Sequence, residues 1–314
     1  MKIVVTGAAG FIGSHLSERL SDMGHEVVGI DAFTPYYDRA LKELNAQDIR
    51  NKNVKLLELD LSEAALSDAV SDADFVFHLA AQPGISADTT FDIYLKNNFL
   101  STYKLLETLK DNSRLKCFFN ISTSSVYGEN ATGSERRPPT PTSYYGVTKL
   151  AAEQLVLSYQ RDKGFPACSL RLFSVYGERE RPEKLYPKLI RSIIEEKPFP
   201  LFVGSEKHLR SYTYVGDILD GLIAALENYP KCIGQAFNIG CDTAITTGEG
   251  IRLVEDMIGK KAIIELKPKR AGDQLKTHAD ITKARRILGY EPKVLPAEGL
   301  EKEVKWFKEK FYAQ

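Results

Sequence analysis

Short apolar runs alternate with amphipathic stretches through the first half of the chain. Lys2–Thr6 is one such run, and His25–Ile30, Val54–Leu59, Asp74–Leu79, Leu115–Ile121 and Ala167–Phe173 repeat it. Runs this short, apolar on both faces, predict buried parallel strands. Between them, Ser14–Met23, Glu63–Val70, Thr90–Lys110 and Tyr144–Arg161 carry helical spacing. The alternation predicts an α/β fold: a doubly wound parallel sheet covered by helices on both faces. Arg136–Ser143 is polar and Pro-rich, and reads as a rigid connector. After Phe173 the segments shorten and Pro, Lys and Glu become frequent, which predicts a smaller mixed lobe.

The first strand runs into Gly7-Ala-Ala-Gly10-Phe11-Ile12-Gly13, and the second ends in Asp31. Strand, Gly-rich turn, helix, strand and acid together make a Rossmann-type dinucleotide-binding unit. Gly7 permits the tight turn, Gly10 lets the backbone approach a pyrophosphate at the helix N-terminus, and Gly13 lets helix pack on strand. Asp31 suits a ribose diol and repels a 2′-phosphate, which favours NAD over NADP. The spacing is G-x-x-G-x-x-G. The expected division is an NAD-binding domain over residues 1–173, rejoined by about 212–240, with a smaller substrate lobe from 174–211 and 241–314, to which the resemblance described below assigns a nucleotide sugar. Gly7, Asp31, Asp60, His78–Ala81, Thr123 and Ser174 all fall at or just past strand ends, where ligands of such sheets sit.

Tyr145 and Lys149 are four residues apart in a predicted helix, so both side chains share one face. A neighbouring ammonium favours the phenolate and lowers a tyrosine from about 10 toward neutrality. That makes Tyr145 a candidate general base. Most Tyr-x-x-x-Lys pairs are solvated helix faces; here the pair stands in a dinucleotide-binding context.

Composition narrows the partners. Of 314 residues, 42 are basic and 42 acidic, so no cationic surplus points to nucleic acid or an anionic membrane. No apolar stretch reaches membrane length, and Met1-Lys2 leads straight into a strand without room for a leader. The four cysteines (Cys117, Cys168, Cys232, Cys241) have neither zinc nor disulfide-framework spacing. Reduced core thiols in a cytoplasmic protein, with no metal, are expected.

With these residues in place, the chain resembles an extended short-chain dehydrogenase/reductase of the nucleotide-sugar epimerase and dehydratase branch. Thr6–Gly13 is similar to that family's cofactor turn, Asp60-Leu61 to its adenine-holding pair, and His78-Leu79-Ala80-Ala81 to the strand end along the cofactor. Asn98 falls in its Asn-x-x-x-Thr pattern. Ser122–Gly128 and Tyr144–Glu153 resemble its catalytic segments, with Thr123, Tyr145 and Lys149 in the catalytic places. Arg210–Asp217 and Arg270–Asp273 resemble its sugar-nucleotide segments. The resemblance implies that Arg210 and Arg270 bind the diphosphate and Asp273 the nucleoside ribose; Ser211 and Gly216 replace family Asp residues.

The branch divides by the two residues after Thr123. Resembling dehydratases carry Asp-Glu there and decarboxylases Ser-Glu, whereas this chain carries Ser124-Ser125. Without a carboxylate at either place, oxidation at C4 and re-reduction from the other face remain: 4-epimerisation with regenerated NAD. Asp31–Asp38 and His78–Ile85 are most similar to UDP-glucuronate 4-epimerases, although Ser86 stands where those relatives carry Arg. Ser124, Ser125 and Ser174 offer hydroxyls to a C6 carboxylate; equally, small serines leave room for a hydroxymethyl or N-acetyl group. The expected reaction is UDP-glucuronate to UDP-galacturonate. UDP-glucose or UDP-N-acetylglucosamine epimerisation, decarboxylation, and a non-catalytic NAD-binding regulator stay open. The resemblance also implies a homodimer through the Thr90–Lys110 and Tyr144–Arg161 helices, with Tyr103, Leu106, Leu150 and Leu157 as apolar surface.

Overall fold

A computed structural model describes residues 1–84, 88–269 and 275–312. Strands β1 (Lys2–Thr6), β2 (Glu26–Asp31), β3 (Lys55–Glu58), β4 (Phe75–His78) and β5 (Cys117–Thr123) lie parallel in one seven-stranded sheet. Two later strands, Ala167–Leu172 and Ala236–Ile239, complete it. The order across the sheet is Ala236–Ile239, Ala167–Leu172, β5, β4, β1, β2, β3. The strand order therefore reverses between β1 and β4, and a crevice opens there beyond the strand ends. Side chains alternate between two cores: Ile3, Val5 and Phe77 face one, and Val4, Val28 and Val76 face the other. Burial on both faces is why these runs lack polar alternation.

Helix α1 (Phe11–Asp22) starts at Phe11, behind the N-cap Gly10 and three residues earlier than the apolar pattern suggested. Helix α2 (Arg39–Asn51) has no counterpart in the sequence reading. Its buried face holds Lys42 and Asn45 beside Ala46 and Ile49, so polar residues hid its amphipathic stripe, while Asp38 caps its first turn through Ala40 N. The helix expected over Glu63–Val70 shrinks to α3 (Ser67–Val70). Asp60 forms a turn instead, accepting from Ser62 N and Oγ, and its carbonyl accepts from Glu63 N and Ala64 N. Next come α4 (Phe91–Tyr94), a π turn over Leu95–Leu100, and α5 (Ser101–Leu109). Helix α6 (Tyr144–Lys163) is capped by Ser143 and closed by left-handed Gly164.

The remaining strands form a mixed four-stranded sheet (Ile245–Thr246, Leu209–Arg210, Lys276–Ala279, Asn130–Gly133) and two short pairs. The C-terminal helix Pro296–Phe311 packs with Tyr176, Tyr186 and Ile190 in a third core. All four cysteines are free and buried. No helix among the described residues is long and apolar enough to cross a membrane.

Candidate active site

A cleft of about 870 Å³ opens at the reversal between β1 and β4. On one side it is lined by Gly7, Gly10, Phe11, Ile12, Asp31, Asp60, Leu61, Leu79, Ala80 and Ala81. On the other it is lined by Thr123, Ser124, Ser125, Tyr145, Lys149, Ser174 and Arg210. Chain segments far apart in sequence thus converge as the strand-end positions foretold. Gly13 and Asn98 do not line the cleft; they act from behind it. Arg270 and Asp273 lie outside the described residues, as does Ser86.

The cofactor side is built from backbone. Gly7 has a left-handed φ of 72°, and a Cβ there would stand 2.9 Å from Ala80 N. A Cβ on Gly13 would stand 2.1 Å from Gly7 O, so only glycine lets α1 approach the turn. Helix α1 has no side-chain cap, and its first-turn residues Phe11 and Ile12 line the cleft. Uncapped N–H groups at a helix start suit a pyrophosphate. Asp31 is held ready: its carboxylate accepts from Ala9 N at 3.1 Å, Phe33 N at 2.8 Å and Lys42 Nζ at 3.1 Å. These features fit a dinucleotide such as NAD. Lys42 escaped the sequence reading because its helix did.

Deeper, Thr6 Oγ1 bonds His78 Nδ1 at 2.8 Å, and His78 Nε2 bonds Thr102 Oγ1 at 2.9 Å. Burial and the Lys149 charge pull His78 down to about 3, so it is neutral. The π turn carries Asn98, whose Oδ1 accepts from Gln82 N at 2.7 Å while Nδ2 donates to Thr148 Oγ1 at 3.0 Å. Asn98 therefore ties the strand end after β4 to α6.

Tyr145 and Lys149 stand on α6 as the spacing predicted, but their titration differs from expectation. Burial pushes the Tyr145 phenol above its ordinary value, opposed first by its hydrogen bond with Thr123 and then by the Arg181 charge. Burial also lowers Lys149 to about 8, offset by Glu153. Desolvation penalises both charged forms and is the largest influence on each, so burial and not the neighbouring ammonium sets the direction for Tyr145. Thr123 Oγ1 also accepts from Ser125 N at 3.1 Å, which fixes the turn bearing both serines.

Arg181 was missed. It follows the short strand Val175–Tyr176, in a stretch where the sequence offered only a rise in charge. Its neighbour Arg179, at φ 67°, bonds Glu18 on α1 at 2.9 Å and Asp48 on α2 at 3.0 Å. That clamp fixes the segment from which Arg181 lines the cleft, paired with Glu183 at 2.7 Å. Lys184, Lys188, His208 and Lys267 add further basic lining beyond it.

Known proteins resemble this chain over nearly its whole length. The chain is 38% identical over 309 residues to the uncharacterized UDP-glucose epimerase YtcB of Bacillus subtilis, covering 97% of each. It is 33% identical to UDP-glucuronate 4-epimerase 6 of Arabidopsis thaliana, covering 98% of this chain and 71% of that one. The UDP-glucuronic acid 4-epimerase of Bacillus cereus, in complex with UDP-glucuronic acid and NAD, superposes with a TM-score of 0.94 at 39% identity, covering 99% and 100% of the two chains. Residues 3–240 match the NAD dependent epimerase/dehydratase family, and the chain belongs to that family.

Proposed function

We propose that this chain epimerises C4 of a UDP-sugar through a 4-keto intermediate, and that the sugar is UDP-glucuronate and the product UDP-galacturonate. One observation carries the reading. Beside Tyr145 the cleft presents the hydroxyls of Thr123, Ser124 and Ser125 and the Arg181 guanidinium, with serines at both positions after Thr123. The Arg181 charge reaches the Tyr145 phenol. A cation and several hydroxyls near the reacting carbon suit a carboxylate at C6. The relatives that act on UDP-glucuronate support the same choice. UDP-glucose is the second reading, favoured by the likeness to the Bacillus subtilis protein.

Bound in the cleft, NAD supplies reversible two-electron oxidation of C4. Tyr145 Oη, as the phenolate that Lys149 and a bound positive nicotinamide would favour against burial, takes the proton of the 4-hydroxyl and later returns it. Thr123 Oγ1 orients that oxygen. Lys149, protonated, would hold the ribose of a bound NAD and steadies the phenolate. Ser124, Ser125, Ser174 and Arg181 hold the C6 carboxylate. That hold matters because a 4-keto uronate is a β-keto acid and loses CO₂ when its C5–carboxylate bond turns perpendicular to the ketone. Arg210 binds the diphosphate, and Arg270 and Asp273 complete the nucleotide site.

We assign NAD binding to residues 1–173, rejoined by 212–240, and the sugar nucleotide to 174–211 and 241–314. A homodimer fits the exposed apolar face of Phe91, Ile93, Leu100, Tyr103, Tyr144 and Val147, each at least 40% exposed. Of the other residues expected on that face, Leu106 is buried in the core on one side of the sheet, Leu157 is buried within the monomer, and Leu150 is partly buried against the other core. The free cysteines suit the cytoplasm. Separate incubations with UDP-glucuronate, UDP-glucose and UDP-N-acetylglucosamine test the substrate. Epimer from the uronate alone, without pentose, supports the reading; epimer from UDP-glucose alone overturns it.

A further inference from the structure

One helical turn beyond Lys149, on the same face of α6, stands Glu153, which is 0% exposed. Its carboxylate accepts from Arg171 Nε at 3.0 and 3.2 Å, from Arg171 Nη2 at 2.5 Å and from Ser169 Oγ at 3.1 Å. Arg171, itself 4% exposed, extends the network: its Nη1 donates to Tyr127 Oη at 2.7 Å, and Tyr127 Oη donates to Asn238 Oδ1 at 2.8 Å. Tyr127 closes the turn that carries Ser124 and Ser125. A buried ion pair is weak support for stability, since an apolar pair of like volume is often as good. This pair has another use.

The groups facing Lys149 are few. Before the cofactor's charge acts, Tyr145 on its own helix is a phenol held neutral by burial; His78 on β4 is a neutral imidazole, and Arg171 on the neighbouring strand is a cation paired with Glu153. Burial strips water from the ammonium, and the anion opposing that loss is Glu153. We propose that Glu153, fixed by Arg171, is a positioning residue for the reaction: its carboxylate keeps Lys149 protonated inside the buried site. This inference rests on the roles assigned above to Tyr145 and Lys149.

The effect reads out in pH. Neutralising Glu153 lowers the pH at which Lys149 loses its proton, so the alkaline limb of kcat moves down by about one pH unit. Glu153→Gln alone leaves the Arg171 charge buried and unpaired, which threatens folding. Glu153→Gln combined with Arg171→Met removes both charges and keeps the fold, checked by thermal melting and by NAD content. Glu153→Gln should show the full shift, and the double variant, which also loses the Arg171 cation, a smaller shift in the same direction, with KM for the sugar nucleotide nearly unchanged in both. A folded, NAD-loaded Glu153→Gln variant with the wild-type limb, or a double variant whose limb moves upward, overturns the inference. Undiminished turnover in Lys149→Met and Tyr145→Phe would instead overturn the site assignment beneath it.

Discussion

The two sides of the cleft are made differently. The cofactor side is a backbone surface: Gly7, Gly10 and the uncapped start of α1 define its shape, with Asp31 pinned by two amides and Lys42. The sugar side is a set of side chains from separate segments: Thr123 to Ser125, Tyr145, Ser174, Arg181 and Arg210. A shape made of main chain tolerates no added atoms, whereas a set of side chains can exchange one polar group for another. Substitutions on the cofactor side should therefore cost folding and NAD together, and those on the sugar side should change turnover or product while leaving NAD in place.

Tyr145→Phe should separate the two sides most sharply. Removing the general base should lower turnover by about 10²–10⁴-fold, with NAD still bound, as read from the absorbance of denatured supernatant. Gly13→Ala should do the reverse. Its Cβ would stand 2.1 Å from Gly7 O, and that clash is with main chain that cannot swing aside. A loss of about 1–3 kcal/mol in stability is expected from such overpacking, with NAD lost, measured by denaturant unfolding and cofactor content.

Ser125→Ala probes the hold on the sugar. Removing one donor to a charged group costs about 1.5–3 kcal/mol, so part of the 4-keto acid should escape as pentose and CO₂, resolved by NMR. If the substrate is UDP-glucose, the variant should only slow turnover and give no pentose.

The smallest effect concerns stability at the rim. Glu180 lines the cleft, and burial raises its carboxyl to about 8. Glu303, on the C-terminal helix, is likewise pushed up by burial and by the Glu180 and Glu178 charges. A carboxyl raised in the folded state stabilises below its unfolded value near 4.5, and that contribution fades as pH climbs through about 8. Glu180→Gln, which cannot ionise, should gain Tm over wild type between pH 5 and pH 8 and lose that advantage near pH 4. An equal gap at every pH would contradict the assignment.

The sequence made the cofactor side legible because its determinants are local: a turn, a helix start and an acid within 31 residues. Tyr145 and Lys149 were legible for the same reason, being one helical turn apart. What the sequence concealed was energetic or dispersed. Helix α2 hid because Lys42 and Asn45 occupy its inner face. Arg181 hid in a charged stretch with no period, and its placement depends on the Arg179 clamp to two helices far away in sequence. The Tyr145 titration could not be foreseen from a spacing, since burial, which spacing does not report, decides its direction.

The central claim is that C4 is oxidised and re-reduced within one closed site, so the hydrogen removed is the hydrogen returned. UDP-glucuronate deuterated at C4 and turned over in ordinary water tests this directly. The UDP-galacturonate formed should keep its deuterium at C4, with solvent hydrogen absent from that carbon. Product that has exchanged C4 deuterium for solvent hydrogen, or no C4 epimer at all, would contradict it.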